Sequence, residues 1–204
     1  MAARARQPRT GAGVGFSYGN LGLVANAQRD DDLAIERYEI ALTLFRLIDD
    51  RSRIGYMLGN LGLIACFQKQ YERAVRLLEE AVEIGRELGD VNSVVIWLGN
   101  LGLVAFARLD YARAANIQRE VLIVWREMGN QPHLARSFES IALIAAATHR
   151  PERAPRVFGA AAALRTRLGA PLQPNDRNFN DRYIADIRTE LGDRAIRAAW
   201  ERGA

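Results

Sequence analysis

One seven-residue motif returns every forty residues. Gly19-Asn20-Leu21-Gly22-Leu23-Val24-Ala25 recurs as Gly59-Asn60-Leu61-Gly62-Leu63-Ile64-Ala65 and again as Gly99-Asn100-Leu101-Gly102-Leu103-Val104-Ala105. A fourth, more divergent copy follows at the same spacing, Glu139-Ser140-Ile141-Ala142-Leu143-Ile144-Ala145. A repeat of this length means an array of supersecondary units, each too small to bury its apolar face alone and stabilised by stacking on its neighbours. Such arrays bind along a surface and seldom do chemistry.

Each unit divides into two helical patterns. In the first, Leu58, Leu61, Gly62 and Ala65 fall at i, i+3, i+4 and i+7, one face of an α-helix. The same face reads Tyr18, Leu21, Gly22, Ala25, then Leu98, Leu101, Gly102, Ala105, then Phe138, Ile141, Ala142, Ala145. Glycine inside a helix costs roughly 1 kcal/mol relative to alanine, so its return at one place predicts a neighbouring helix passing close by. The second helix shows Ala74, Leu78, Ala81 and Gly85, with counterparts Ala34, Tyr38, Ala41, Phe45, then Ala114, Gln118, Val121, Trp125, then Ala154, Phe158, Ala161. Gln118 breaks the apolar pattern and is expected at a wet edge or an irregular contact.

Turns separate the helices. Arg29-Asp30-Asp31-Asp32, Lys69-Gln70-Tyr71 and Leu109-Asp110-Tyr111 join first to second helix, and Pro151 takes that place in the fourth unit, where proline suits a first helical turn. Between units lie Asp49-Asp50, Gly89-Asp90, Gly129-Asn130 and Gly169-Ala170, three of them offering glycine just past a helix end. No strand-like alternation of useful length is present.

The chain has 204 residues, 49% of them apolar, enough for a continuous core. No run approaches the eighteen or so apolar residues of a membrane span, and Met1 to Thr10 carries three arginines with no apolar stretch after them, unlike a secretory signal. A cytoplasmic location is expected. The single cysteine, Cys66, excludes a disulfide framework and a thiolate metal site. The net charge is +4 with a pI near 9.6, and every basic residue except Lys69 is arginine. Arginine keeps its charge to about pH 12, which lifts the pI without much charge at neutrality. Acids and bases interleave from Glu72 to Glu87, the pattern of solvated helix faces rather than a nucleic-acid surface.

The residues resemble the tetratricopeptide repeat. Leu61-Gly62, Ala74, Leu78 and Ala81 stand at that family's spacing, as do Leu21-Gly22, Ala34, Tyr38 and Ala41, and Tyr71 and Tyr111 match the aromatic residue that opens its second helix. The period departs from the usual ~34 residues, so the helices are expected to be about a turn longer, and the family's terminal proline is absent. The resemblance implies an all-α fold: a right-handed α-solenoid of about four 40-residue helix-turn-helix repeats with a C-terminal helical cap. The expected organisation is a disordered segment over 1–12, repeats over 13–50, 51–90, 91–130 and 131–170, and capping helices over 171–204.

A narrower resemblance begins at Pro151. Pro151-Glu152-Arg153-Ala154, Phe158-Gly159-Ala160-Ala161, Leu168-Gly169-Ala170-Pro171, Leu191-Gly192-Asp193 and Ala199-Trp200-Glu201-Arg202-Gly203 are similar to the C-terminal arm of large bacterial LuxR-type regulators, in which a signalling ATPase precedes a tetratricopeptide array. This chain holds no Gly-x-x-x-x-Gly-Lys-Ser/Thr loop and no recognisable helix-turn-helix of the DNA-binding kind, so neither ATPase nor DNA-binding activity is carried over. In the cap, a helix is expected from about Asp176 to Leu191 with a stripe of Tyr183, Ile184, Ile187 and Leu191. A short helix is expected from Asp193, as N-cap, to about Arg202 with Ile196 and Trp200. The N-terminal repeat lacks such a cap, which points to a missing partner there: more repeats or another domain of the same polypeptide, another chain or a second copy.

The resemblance places the first helices along a concave groove. Their face not used for packing carries Phe16, Gly19, Asn20 and Leu23, then Tyr56, Gly59, Asn60, Leu63 and Phe67, then Ile96, Gly99, Asn100 and Leu103, then Arg136, Glu139, Ser140 and Leu143. Asn20, Asn60 and Asn100 form a ladder whose amides both donate and accept, suited to an extended peptide backbone, and the glycines would admit it closely. The expected peptide-binding groove is therefore Phe16, Asn20, Leu23, Tyr56, Asn60, Leu63, Phe67, Ile96, Asn100, Leu103 and Arg136. With Arg136 its only cation, the groove suits a neutral peptide or a partner helix rather than an acidic tail.

Chemistry has little to work with. His133 and His149 lie near opposite ends of one expected helix, too far apart to share a metal, and Cys66 follows an apolar helix face. Gly19 to Gly22 lie inside a helix, whereas a phosphate loop needs a free turn. Trp97, Trp125 and Trp200 are expected in the core or its seams. No nucleophile–base pair or metal cluster assembles, so the chain is read as a non-enzyme without cofactor. The expected function is a protein- or peptide-binding module, the interaction arm of a bacterial transcriptional regulator. The alternatives are a free-standing peptide receptor or adaptor and, with less behind it, a nucleic-acid binder.

Overall fold

The computed structural model describes residues 7–148, 152–171, 184–185, 188–189 and 192–203. The elements are α1 (Gln7–Ala27), α2 (Asp31–Leu47), α3 (Arg51–Phe67), α4 (Tyr71–Glu87), α5 (Val91–Ala107), α6 (Tyr111–Glu127), α7 (Gln131–Ala147), α8 (Ala154–Leu168) and α9 (Asp193–Glu201). No strand occurs among the described residues. The fold class is an α-solenoid of tetratricopeptide type. Helix α1 starts at Gln7, inside the stretch expected to be disordered. Pro151 and most of the helix expected over 176–191 lie outside the described residues, and 184–185 and 188–189 are helical.

Helices α2 to α7 are each 17 residues long, and one connector explains why. Arg29, Asp49, Lys69, Gly89, Leu109, Gly129 and Gly169 all take a left-handed backbone, with φ between 53° and 68°. They stand twenty residues apart, save the gap at undescribed residue 149. Each ends its helix in a Schellman motif: the N–H of Arg29 donates to the Asn26 carbonyl and that of Asp30 to the Ala25 carbonyl, both at 3.0 Å. The same pair of bonds recurs at 49/50, 69/70, 89/90, 109/110, 129/130 and 169/170.

The residue after the left-handed one then caps the next helix. Side-chain oxygens of Asp30, Asp50, Asp90, Asp110 and Asn130 accept from the backbone N–H three residues on, at 3.0 to 3.3 Å. Gln70 holds the same position with no such bond. Seventeen helical residues and a three-residue connector make the half-repeat of twenty, and two of them the sequence period of forty. Only three of the seven left-handed residues are glycine, which is why the connectors at 29, 49, 69 and 109 carry a weaker sequence signal.

The chain divides into two compact units, Met1–Val104 and Ala105–Ala204, the division falling within α5. In the first, α2 lies against α1 and α3, and α4 against α3. The small–large alternation read from the second helices is buried: Ala34, Tyr38, Ala41 and Phe45 on α2, and Ala74, Leu78, Ala81 and Gly85 on α4. Opposite them stand the motif glycines. A β-carbon at Gly22 would come within 2.7 Å of the Tyr38 ring, and one at Gly62 within 2.7 Å of Leu78 Cγ. The close helix approach expected from these glycines is therefore present. Ion pairs knit α2 to α4, Arg73–Glu39 at 2.8 Å and Arg46–Glu80 at 2.9 Å.

In the second unit, α7 packs on α6 and α8, and α9 on α8. Its core joins Ala105, Phe106, Ala114, Ala142, Leu143, Ile144, Ala154, Phe158 and Ile196. Trp200 of α9 stacks on Phe158 at 6.2 Å, and the Trp200 carbonyl lies against Gly159, where a side chain would block it. The short terminal helix expected to carry Ile196 and Trp200 is thus present, but Gly192, not Asp193, is its N-cap. Asp193 instead sits in the first turn, where its charge suits the helix dipole, and pairs with Arg188 at 2.9 Å. Gln118 is buried, not at a wet edge.

The connectors generate a stability prediction. Leu109 is 69% exposed at φ 65°, so Leu109→Gly should relieve left-handed strain worth about 1 kcal/mol and lose little burial. Gln70→Asp should add the missing cap, worth about 1 kcal/mol. Each variant should melt a few degrees higher by circular dichroism; a drop for both would mean the connectors do not set the repeat length.

Candidate functional site

All the expected groove residues except Arg136 fall in the first unit. Phe16, Asn20 and Leu23 lie on α1, Tyr56, Asn60, Leu63 and Phe67 on α3, and Ile96, Asn100 and Leu103 on α5. Phe16, Leu23, Tyr56 and Phe67 are 45%, 51%, 46% and 60% exposed. The amides grade along the row: Asn20 is exposed, Asn60 half-buried and Asn100 buried. Leu63, Ile96 and Leu103 are half-buried. The accessible surface of this row therefore lies mostly on α1 and α3, with Asn100 out of reach of solvent.

Trp97 fills the seam beside this row. Its indole inserts between α3 and α4, against Gly55 and Gly85. A β-carbon at Gly59 would collide with the indole nitrogen. Gly59 was expected to admit a peptide, but the space over it belongs to Trp97. A β-carbon at Gly19, one period earlier, would meet only Met57, at 3.5 Å from its methyl and 3.6 Å from its sulfur. Tyr56 is held by the same residue, edge-to-face on Trp97 at 5.9 Å, and Ser93 Oγ donates to the Tyr56 hydroxyl at 3.1 Å. Its exposed face is therefore presented in a fixed orientation.

A cation that sequence reading missed sits at the α1 end. The Arg53 guanidinium lies 3.7 Å over the Phe16 ring, and Phe16 in turn meets Phe45 edge-on at 6.0 Å. Arg53 also pairs with Asp50, so its charge is largely answered. Its signal was hidden because it is a connector-proximal residue, off the groove stripe, that reaches the ring only in three dimensions. Phe16 sits between Arg53 and the core, a cation–π contact of about 1 kcal/mol.

In the second unit, Arg136 is exposed, Ser140 is half-buried and Leu143 is buried. The Ser140 hydroxyl donates to the Arg136 carbonyl at 3.2 Å. Glu139, at the motif-glycine position, is buried and held in a two-pronged pair: Arg165 Nε donates at 2.5 Å and its terminal nitrogen at 2.9 Å. Glu139 is thus taken up by helix packing, and the Ser140 hydroxyl by the backbone of its own helix.

The groups that could do chemistry are quiet. Burial pushes the Cys66 thiol up to about 11, so it stays protonated at neutral pH. It also pushes the Tyr38 phenol up to about 12, Asn26 opposing weakly, and the Tyr38 hydroxyl makes no hydrogen bond of normal geometry. His133 stacks on Trp125 at 4.2 Å with its Nδ1 2.9 Å from Asn130 Oδ1. Burial and the Arg136 charge hold it below the usual histidine range. His149 lies outside the described residues. Among the described residues no group of His, Cys, Asp and Glu is arranged to hold a metal ion, and no helix is long and apolar enough to cross a membrane.

Comparison with known proteins agrees with the architecture. Residues 14–87 match the tetratricopeptide repeat family model. That match covers α2, α3, α4 and most of α1. Comparison with curated proteins gives no match. Among solved structures, the crystal structure of BtubC (BKLC) from P. vanneervenii is similar with a TM-score of 0.68, over 83% of this chain and 69% of that one. At 20% sequence identity this likeness shows the fold alone. Tetratricopeptide-type repeats are a protein-interaction architecture and typically a scaffold rather than an enzyme.

Two predictions follow from the packing of the motif position. Gly59→Ala should destabilise by about 1–3 kcal/mol through overpacking against Trp97, whereas Gly19→Ala should be neutral or stabilise by up to about 1 kcal/mol through helix propensity. Urea denaturation of the two variants checks the opposite signs. At the fourth copy, Glu139→Gln should cost about 3 kcal/mol by leaving the Arg165 charge without its carboxylate. Replacing both, Glu139→Leu with Arg165→Met, should cost much less; equal losses would mean the pair is not what holds α7 to α8.

Proposed function

We propose that the chain is a protein- or peptide-binding module whose ligand lies on the outer face of α1 and α3. The observation that carries this reading is the accessible row of Phe16, Asn20, Leu23, Asn60, Leu63 and Phe67 on a helix face left free by packing. Aromatic and aliphatic side chains supply apolar area, and the two amides can each donate to and accept from a peptide backbone. Arg53 is paired and Arg136 lies in the other unit, so the face suits a neutral, apolar peptide or one face of a helix.

The finer reading is the interaction arm of a bacterial transcriptional regulator acting in the cytoplasm. Its support is the similarity of the segments from Pro151 onward to the C-terminal arms of LuxR-type regulators. A free-standing receptor or adaptor uses the same face. Nucleic acid has less support, because Arg46, Arg51, Arg73 and Arg165 are engaged by carboxylates.

Selection from a displayed random peptide library tests the site. Selected peptides should be rich in apolar residues, and Asn20→Ala and Asn60→Ala should each weaken them up to about tenfold, the worth of one or two hydrogen bonds. Phe67→Ala should weaken them further. If those three variants bind as well as the parent, the ligand does not lie on this face. A steep loss of DNA or RNA binding with rising salt would favour the nucleic-acid reading instead.

A further inference from the structure

The repeat supplies its own control for a second surface of α1, distinct from the peptide face. Val14, Leu21 and Val24 lie along one stripe at i, i+7 and i+10. They are 46%, 52% and 52% exposed. Their counterparts one period on, Ile54, Leu61 and Ile64, are 3%, 3% and 2% exposed. Tyr18 is half-buried where Leu58 is fully buried. What α3 has on that side is the preceding pair, with α2 packed against it. The stripe on α1 is built as an interface, and the helix that fills it elsewhere is of the α2 kind.

The second helices carry an independent sign of the same face. Between α2 and α4 the contact is charged: Glu39 meets Arg73 and Arg46 meets Glu80. On α2 itself the counterparts of Arg73 and Glu80 are Leu33 and Ile40, both half-buried. Leu44 is half-buried where its counterpart Ile84 is 1% exposed. The face thus replaces two ion-pairing groups with aliphatic ones, and its complement is a helix that is apolar where α2 is charged.

A second copy docking head to tail would have to offer its last helix pair. That face of α8 is taken by α9: Gly159 stands where Glu39 stands in the first pair, and the Trp200 backbone lies against it.

We propose that the Val14–Leu21–Val24 stripe, with Leu33, Ile40 and Leu44, docks an amphipathic helix from a partner protein. That helix takes the place relative to α1 that α2 takes relative to α3. On α2 the downstream stripe is Ile35, Glu39, Leu42 and Arg46, at i, i+4, i+7 and i+11. The partner helix carries apolar residues at all four of these positions.

The test titrates the full chain with two labelled synthetic peptides of residues 30–48, one native and one with Glu39→Leu, read by fluorescence anisotropy. The Glu39→Leu peptide should bind saturably and about tenfold more tightly than the native one, because its leucine meets Leu33. Leu21→Glu in the chain should abolish binding, and Val24→Glu, at a second exposed position, should weaken it at unchanged melting temperature. Asn20→Ala and Asn60→Ala should leave it unaltered, which separates this surface from the peptide face. No saturable binding up to about 1 mM, the native peptide binding as tightly as the leucine variant, or binding that survives Leu21→Glu would each overturn the proposal. So would sedimentation equilibrium showing a dimer of the chain that Leu21→Glu dissociates, since the face would then belong to a second copy.

Discussion

Everything in this structure depends on a three-residue connector that stops one helix and starts the next. A left-handed residue turns the chain, and two Schellman bonds satisfy the last carbonyls of the helix behind it. An aspartate or asparagine directly after it satisfies the first amides of the helix ahead at five of the junctions. The helix ends therefore need little from the rest of the molecule. Because the stop is so tight, helix length is held at 17 residues from α2 to α7. Equal lengths keep the helix faces in the same register from one repeat to the next.

Close approach of those helices is the next consequence. Gly22 and Gly62 leave room for Tyr38 and Leu78 within a pair, and Gly55, Gly59 and Gly85 together make the slot for Trp97. One motif position thus serves two purposes. At Gly59 it admits a buried indole, and at Gly19 it leaves only the end of the Met57 side chain at van der Waals distance. At the fourth copy the glycine is Glu139, and its buried pair with Arg165 binds α7 to α8. The array is regular in backbone and irregular in what fills its seams.

That irregularity shapes the proposed binding surface. The accessible face lies on α1 and α3, because burial rises along the row from Asn20 to Asn100. Phe16 and Tyr56 are held at its margins by Arg53 and by Trp97 with Ser93. Fixed aromatic side chains lose less freedom on binding than mobile ones, which favours a recognition role. The thiol of Cys66 and the phenol of Tyr38 are buried within the packing.

The forty-residue motif by itself determined the helical array, the buried small–large stripe of the second helices and the close approaches at Gly22 and Gly62, because helix periodicity makes faces readable from spacing alone. The left-handed turns at Arg29, Asp49, Lys69 and Leu109 were less legible, since a non-glycine residue in that conformation leaves no mark in composition. The exposure of each groove residue was decided only by tertiary structure. Asn20, Asn60 and Asn100 are identical in motif and differ in accessibility, because burial depends on which helix lies alongside. The same holds for Leu21 and Leu61, one half-exposed and the other buried. A repeat encodes the same face each time, and only the neighbour decides whether that face is core or surface.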